Sequence, residues 1–162
     1  MLVSSQGTSR VMPSVQPQIC FPARSQLLEK IRSFCQENLR GHITDKGLHR
    51  KLVLAIDEAV ANVIEHGFKR RNDGEETTIE LSLSVKPDRV RVRIRDTGLP
   101  FDPRKRMEAG DADLNARHDS IPDRSHRGYG LQLIRLIMDE IDYERTPKGE
   151  NILQLTKHLK RD

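Results

Sequence analysis

The chain has 162 residues, 35% of them hydrophobic, 32% charged and none tryptophan, with a formal net charge of +4. That is the size of one domain with room for a core, and no stretch approaches the roughly 18 consecutive apolar residues of a membrane span. Basic residues interleave with 24 acidic ones and aromatics reach only 4%, a poor composition for a base-stacking surface, so neither a membrane nor direct nucleic-acid contact is expected.

Met1 to Gln18 is rich in Ser, Gln and Pro without an apolar period. It reads as a flexible tail over 1–18, without a secretory signal pattern, ahead of a single domain over 19–162. Ile19 to Pro22 suits a short edge strand. From Arg24 to Leu39, apolar Leu27, Leu28, Ile31, Phe34, Cys35 and Leu39 recur at helical spacing, and Gly41 supplies a stop. A second helix is expected from about Asp45 to His66, with Leu48, Leu52, Ala55, Ile56, Ala59 and Val63 on its apolar stripe and Gly67 closing it. Cys20 and Cys35 fit neither a metal nor a redox spacing and read as reduced thiols of a cytoplasmic protein.

Then the period changes to two. Ile79, Leu81, Leu83 and Val85 alternate with Glu80, Ser82 and Ser84; Lys86-Pro87-Asp88 turns; Val90, Val92 and Ile94 alternate with Arg89, Arg91, Arg93 and Arg95. Such a hairpin has one face under helices and one in water. The arginine row therefore reads as a solvated face pairing across to Glu80. Gly98 to Arg127 shows no steady period, and a loop of about 30 residues inside a domain is commonly a functional lid. Helix returns over Gly128 to Ile141, with Leu131, Ile134, Met138 and Ile141 on one face. A strand near Ile141 to Arg145, a turn at Pro147-Lys148-Gly149 and a strand from Ile152 to His158 complete the chain. The expected fold class is α+β: a two-layer α/β sandwich, helices over one face of a mixed, mostly antiparallel sheet.

Three segments are polar where a core pattern would not require it. Glu58 and Asn62 stand four residues apart, one above the other at the border of the apolar stripe, and His66 extends the line by a turn. A carboxamide oxygen there suits Mg2+, and a carboxylate can accept a proton from an attacking hydroxyl. Asp96 ends the β pattern just before Gly98, where a strand-end carboxylate can accept from an exocyclic amine such as that of adenine. Gly128-Tyr129-Gly130 opens an amphipathic helix, where free N–H groups and the helix dipole favour phosphate. Taken singly, each also fits a helix border, a strand-ending turn or a loop-to-helix join. No phosphate-loop motif and no His-Arg-Asp or Asp-Phe-Gly kinase signature is present, and the histidines show no metal-ligand spacing.

In this order the three segments resemble the Bergerat-fold ATPase superfamily of gyrase, histidine kinases and mismatch-repair ATPases: Glu58 and Asn62 match its asparagine box, Asp96 and Gly98 its first glycine box, Gly128 and Gly130 its second. The phrases LAIDEAVANVIEHG, DTGLPFDP and GYGLQLI are similar to those of the bacterial anti-sigma-factor serine kinases. Pro100 departs from the Asp-x-Gly-x-Gly form of the first glycine box, but Pro-Phe-Asp-Pro is familiar in the serine-kinase group.

The resemblance implies ATP and Mg2+ as cofactors. Glu58 would be the catalytic base and Asn62 the metal ligand. Nucleotide contacts would come from Asn62, His66, Asp96, Gly98, Gly128, Tyr129, Gly130 and Leu131. The lid, about 99–127, would supply an arginine to the γ-phosphate, with Arg124 and Arg127 both candidates. Implied partners are an anti-anti-sigma-type antagonist protein as the serine substrate, a sigma factor or other regulator held by sequestration, and a second copy in a homodimer. The alternative is a non-catalytic ATP-binding sequestration module of the same fold.

Overall fold

The computed structural model describes residues 16–23, 27–68, 78–108 and 129–160. The tail's first 15 residues, and 109–127 of the expected lid, lie outside them. Strand β1 (Gln18–Pro22) is followed by helices α1 (Leu28–Leu39) and α2 (Lys46–Val63), strands β2 (Thr78–Lys86) and β3 (Arg89–Asp96), helix α3 (Tyr129–Ile137), and strands β4 (Glu140–Arg145) and β5 (Asn151–His158). Among the described residues no helix is long and apolar enough to cross a membrane.

Local chemistry sets the helix ends. Gly41 stops α1 with a positive φ of 84°, a conformation most side chains resist. Asp45 starts α2 by accepting from Gly47 N at 2.7 Å and Leu48 N at 3.1 Å, which holds its carboxyl below the usual aspartate range. The described part of α1 begins at Leu28, and Arg24 lies outside the described residues. Helix α2 does not run unchanged to His66: it ends at Val63 and widens into a π-helical turn over Ile64–Phe68, a distortion often found beside functional sites. Helix α3 stops at Ile137 rather than Ile141. Asp139 N bonds Thr156 O at 2.9 Å, so the chain joins the sheet edge, and Ile141 pairs with Leu155 on β4 instead of extending the helix face.

The sheet has the order β1-β2-β3-β5-β4, and every pairing among the described strands is antiparallel, in keeping with the mostly antiparallel sheet expected, without a parallel pair among them. Strands β3 and β4 do run in the same direction, but β5 inserts between them and gives each an antiparallel neighbour. Helices α1, α2 and α3 cover one face. Ile31, Cys35 and Leu39 from α1, Leu52, Ile56 and Ala59 from α2, and Leu131 and Ile134 from α3 pack over Ile79, Leu81, Leu83, Val90, Val92, Ile94 and Leu155. Burial pushes the Cys35 thiol up to about 12, so it is a neutral member of this core. On the other face the arginine row pairs as expected, Arg95 with Glu80 at 2.8 Å.

Leu81, Ile94 and Leu153 stand side by side in register across three strands. Ile94 is fully buried, whereas Leu136 on α3 is 82% exposed. Ile94→Ala is therefore expected to cost about 2–5 kcal/mol in urea unfolding, and Leu136→Ala no more than about 0.5 kcal/mol.

Candidate functional site

Two of the three polar segments, Glu58-Asn62 and the described part of the glycine pair, meet at one end of the α2–α3 groove. Asn62 donates through Nδ2 to Glu58 O at 2.8 Å, one turn back on α2. This commits the amide's nitrogen end to the helix and leaves the oxygen as the end that can serve a ligand. Helix α3 approaches at Gly130: a Cβ there would fall on Glu58 Oε2, 3.2 Å from Glu58 Cδ and 3.7 Å from Asn62 Nδ2. Glycine at 130 thus admits the Glu58 carboxylate against the first turn of α3, where backbone N–H groups lack helical partners. Leu131 turns into the core, while Tyr129 is 66% exposed and faces outward. Gly128, Arg124 and Arg127 lie outside the described residues.

The other end of the groove is built on Asp96, a carboxylate only 5% exposed. Its Oδ1 accepts from Gly98 N at 2.7 Å and from Asn151 Nδ2 at 2.9 Å. Burial dominates and pushes its pKa above the usual carboxylate range, against the opposing pull of those two donors and of Arg145. Gly98 lies against the π-helical turn: a Cβ on it would stand 2.8 Å from Gly67 O and 2.9 Å from Gly67 Cα. Leu99 N closes the contact with a 3.0 Å bond to Gly67 O. The His66 ring stacks on Phe101, centroids 4.2 Å apart and planes 15° off parallel. The widened end of α2 and the turn after β3 are therefore one packed unit.

Between these ends lies an apolar pocket walled by Ala59, Val63, Leu131, Ile134 and Leu153, with Asn62 at one rim and Asp96 and Asn151 on the floor. Apolar walls with a few convergent polar groups are the lining a small-molecule site uses, and the room between them is about 20 Å³, so a ligand would have to part them. A carboxylate acceptor beside apolar walls can take a hydrogen bond from a heterocycle's amine. The start of the expected lid is packed rather than open. Residues 103–108 are helical, Asp102 caps them by accepting from Arg104 N at 3.0 Å, and Pro103 stands at the first helical position, where a missing N–H costs nothing. Arg104 grips both Asp102 oxygens, at 3.0 and 2.9 Å, and reaches Tyr143 O at 3.2 Å. Met107, 6% exposed, adds to the pocket wall.

Sequence reasoning missed Tyr143, Arg145 and Asn151, which hold the floor from β4 and β5. Their signal was the register: once β5 lies beside β3, Asn151 is the direct partner of Asp96. Nothing local in Gly149-Glu150-Asn151 distinguishes that residue from an ordinary end of a turn.

The chain was compared with known proteins. A family model described as a histidine kinase-like ATPase domain matches residues 21–157. The serine/threonine-protein kinase BtrW of Bordetella bronchiseptica is 33% identical over 107 residues, 66% of this chain and 68% of that protein. The serine-protein kinase RsbW of Bacillus cereus is 32% identical over 110 residues, 67% of this chain and 63% of its own length. An anti-sigma F factor of Bacillus velezensis is 27% identical over 64% of this chain and 65% of that one. The matches thus span about two thirds of these curated relatives. Among solved structures, the RsbU and RsbW domains of a Mycobacterium tuberculosis protein superpose with a TM-score of 0.54 at 19% identity, covering 90% of this chain and 33% of that one. The SiaB–SiaC complex of Pseudomonas aeruginosa gives 0.52 at 14% identity, covering 87% and 89%. These two likenesses concern the fold.

Two outcomes follow from the packing and charge. Gly98→Ala sets a methyl against backbone and is expected to lower stability by about 1–3 kcal/mol. Gly130→Ala meets only the flexible end of Glu58 and is expected to leave the urea midpoint nearly unchanged while displacing that carboxylate. A raised folded-state pKa on Asp96 means that its contribution to stability is fully present below the ordinary aspartate pKa and is lost as pH rises through the folded value. Asp96→Asn removes that loss, so the thermal midpoint of the variant should gain on the parent from acid to neutral pH. Asp45, Asp88, Asp102 and Asp139, held below their ordinary range, change in the opposite sense but equally in both proteins.

Proposed function

This chain belongs to the family of histidine kinase-like ATPase domains, and from that premise we propose that it is an ATP-dependent protein serine kinase of the partner-switching type. Its substrate is a serine on an anti-anti-sigma-type antagonist protein, and it also sequesters a sigma factor or other regulator, acting as an anti-sigma factor in the cytoplasm, with a homodimer as its assembly. The observation that carries the reading is the meeting of Glu58, Asn62 and Gly130 at one rim of an apolar pocket that has Asp96 at its floor. The names of the similar proteins, serine kinases and an anti-sigma factor, support the substrate class.

Asp96 accepts the adenine amine, and the apolar walls take the faces of the ring. Phosphates lie toward the start of α3, whose first-turn N–H groups lack helical partners. Asn62 offers an oxygen ligand for Mg2+. Among the described residues no group of three or more His, Cys, Asp or Glu side chains is gathered to hold a metal, so the donor set fits an ion that takes most of its ligands from phosphate and water. When bound, Mg2+ supplies charge neutralisation on the phosphates. Glu58, positioned one turn before Asn62, accepts the proton of the incoming serine hydroxyl as the serine oxygen attacks the γ-phosphorus; the bond from that phosphorus to the β–γ bridging oxygen breaks and ADP leaves. Gly128, Arg124 and Arg127 belong to the phosphate end of this reading, either arginine as the γ-phosphate contact, with Tyr129 flanking the glycines. His66, stacked on Phe101, serves the nucleotide by holding the turn that carries Gly98.

Glu58→Gln is expected to keep Mg-ATP binding, seen as an undiminished thermal shift, and to lose about two to four orders of magnitude in phosphoserine formation on the antagonist. Asn62→Ala should lose the Mg-dependent part of the shift, which in the parent reaches about 2.7 kcal/mol at a hundredfold excess of ligand over its dissociation constant. Undiminished transfer by Glu58→Gln would remove the base from the reading. Binding without any transfer by the parent would favour sequestration alone.

A further inference from the structure

Asn151 spends every hydrogen-bonding group it has on the floor of the pocket. It is 3% exposed. Its Nδ2 donates to Asp96 Oδ1 at 2.9 Å, Gly98 O at 3.1 Å and Leu99 O at 3.3 Å. Its Oδ1 accepts from Tyr143 OH at 2.8 Å and Arg145 Nη1 at 2.7 Å. Arg145 Nη1 also donates to Gly98 O at 3.2 Å. Two features of this cluster matter. A guanidinium donates and never accepts, so Arg145 decides which way the Asn151 amide faces: oxygen toward β4, nitrogen toward Asp96. Asp96 in turn receives both of its named donors, Gly98 N and Asn151, on the same oxygen. Two donors on one oxygen hold the carboxylate about its own axis and leave its second oxygen outside this set of bonds.

We propose that Asn151 is a positioning residue for base selection, oriented by Arg145 and Tyr143, and that it locks Asp96 as an acceptor so that the pocket takes 6-aminopurine nucleotides and rejects 6-oxopurine ones. The inference rests on the nucleotide reading above and adds to it the residues that set which base is taken. Adenine presents an N–H donor to the locked oxygen. Hypoxanthine presents a carbonyl, which would face a buried carboxylate with no proton between them, a contact that costs far more than a missing bond in water. Rejection depends on the carboxylate being unable to turn away. Without Asn151, Asp96 keeps Gly98 N alone and can rotate, so adenine loses a fixed partner and hypoxanthine loses its repulsion.

The test is the ratio of ADP to IDP dissociation constants, measured by calorimetry on the full chain with Asn151→Leu and with Arg145→Met. The parent is expected to prefer ADP, and both variants should narrow the preference by about tenfold or more, the scale of one misplaced hydrogen bond. A purely structural role would weaken both nucleotides in proportion; an unchanged ratio in a folded variant overturns the inference. Should Asn151→Leu not fold, Arg145→Met decides, because it frees the amide to flip while leaving Asn151 in place. A parent that binds neither nucleotide would sink the nucleotide reading itself. A parent that discriminates, with variants that discriminate equally, would sink only the role of Asn151.

Discussion

A carboxylate buried at the end of a central strand has to be held by something, and the packing around Asp96 is organised by that need. Desolvation raises its proton affinity, and Gly98 N, Asn151 and the charge of Arg145 work against the rise. The three come from different places: the turn after β3, the start of β5 and the end of β4. Bringing two donors to one oxygen and the Arg145 charge beside them requires β5 to lie beside β3 and β4 beside β5, the strand order observed. It also requires the turn at Gly98 to pass within van der Waals contact of Gly67, and so the end of α2 to open into its π-helical turn. Sheet order, turn and helix end are coupled through one ionisable group.

Much of this was readable beforehand because its causes are local. Periods of 3.6 and 2 in the apolar residues placed both long helices and the β2–β3 hairpin to within a few residues, and Gly41 and Gly149 stand at the positive φ values their stops require. The meeting of Glu58, Asn62 and Gly130 was anticipated by resemblance, since no local pattern links α2 to α3. What escaped reading is long-range. Asn151 and Arg145 sit 55 and 49 positions beyond Asp96 in the chain, and their partnership with it exists only once β5 inserts beside β3. Ile141 was assigned to a helix face because its spacing from Ile134 and Met138 fits one; edge pairing with β5 outweighs that spacing. The Phe101-Asp102-Pro103 segment looked irregular because a one-residue cap followed by proline leaves no hydrophobic period, although the helical turn it starts is well specified.

The two ends of the pocket are built from different material. Strand residues make the Asp96 end, where register and a closed set of hydrogen bonds leave Asp96 and Asn151 little freedom. Helix residues make the other end: Glu58 and Asn62 project from α2 toward Gly130, and the contact between the helices there is glycine against a flexible carboxylate. In the proposed reaction, rigidity where the base is recognised and freedom where a proton moves are different demands on one cleft. A sheet satisfies the first because its bonds are shared among strands. A helix border satisfies the second because a long side chain there keeps its rotamers.

That division explains why the arginine row on the opposite face of the sheet does not enter the site. Alternation along β3 sends Val90, Val92 and Ile94 under the helices and Arg91, Arg93 and Arg95 away from them. Asp96, one residue beyond Arg95, falls on the helix side by the same rule. A shift of one residue in register would exchange the two sets and place a guanidinium where the buried acceptor now stands. Pairing of Arg95 with Glu80 holds β3 against β2 on the outer face, and the direct pairing of Asp96 with Asn151 holds it against β5 on the inner one. The charged outer face thereby helps to keep β3 in the alternation that puts Asp96 under the helices.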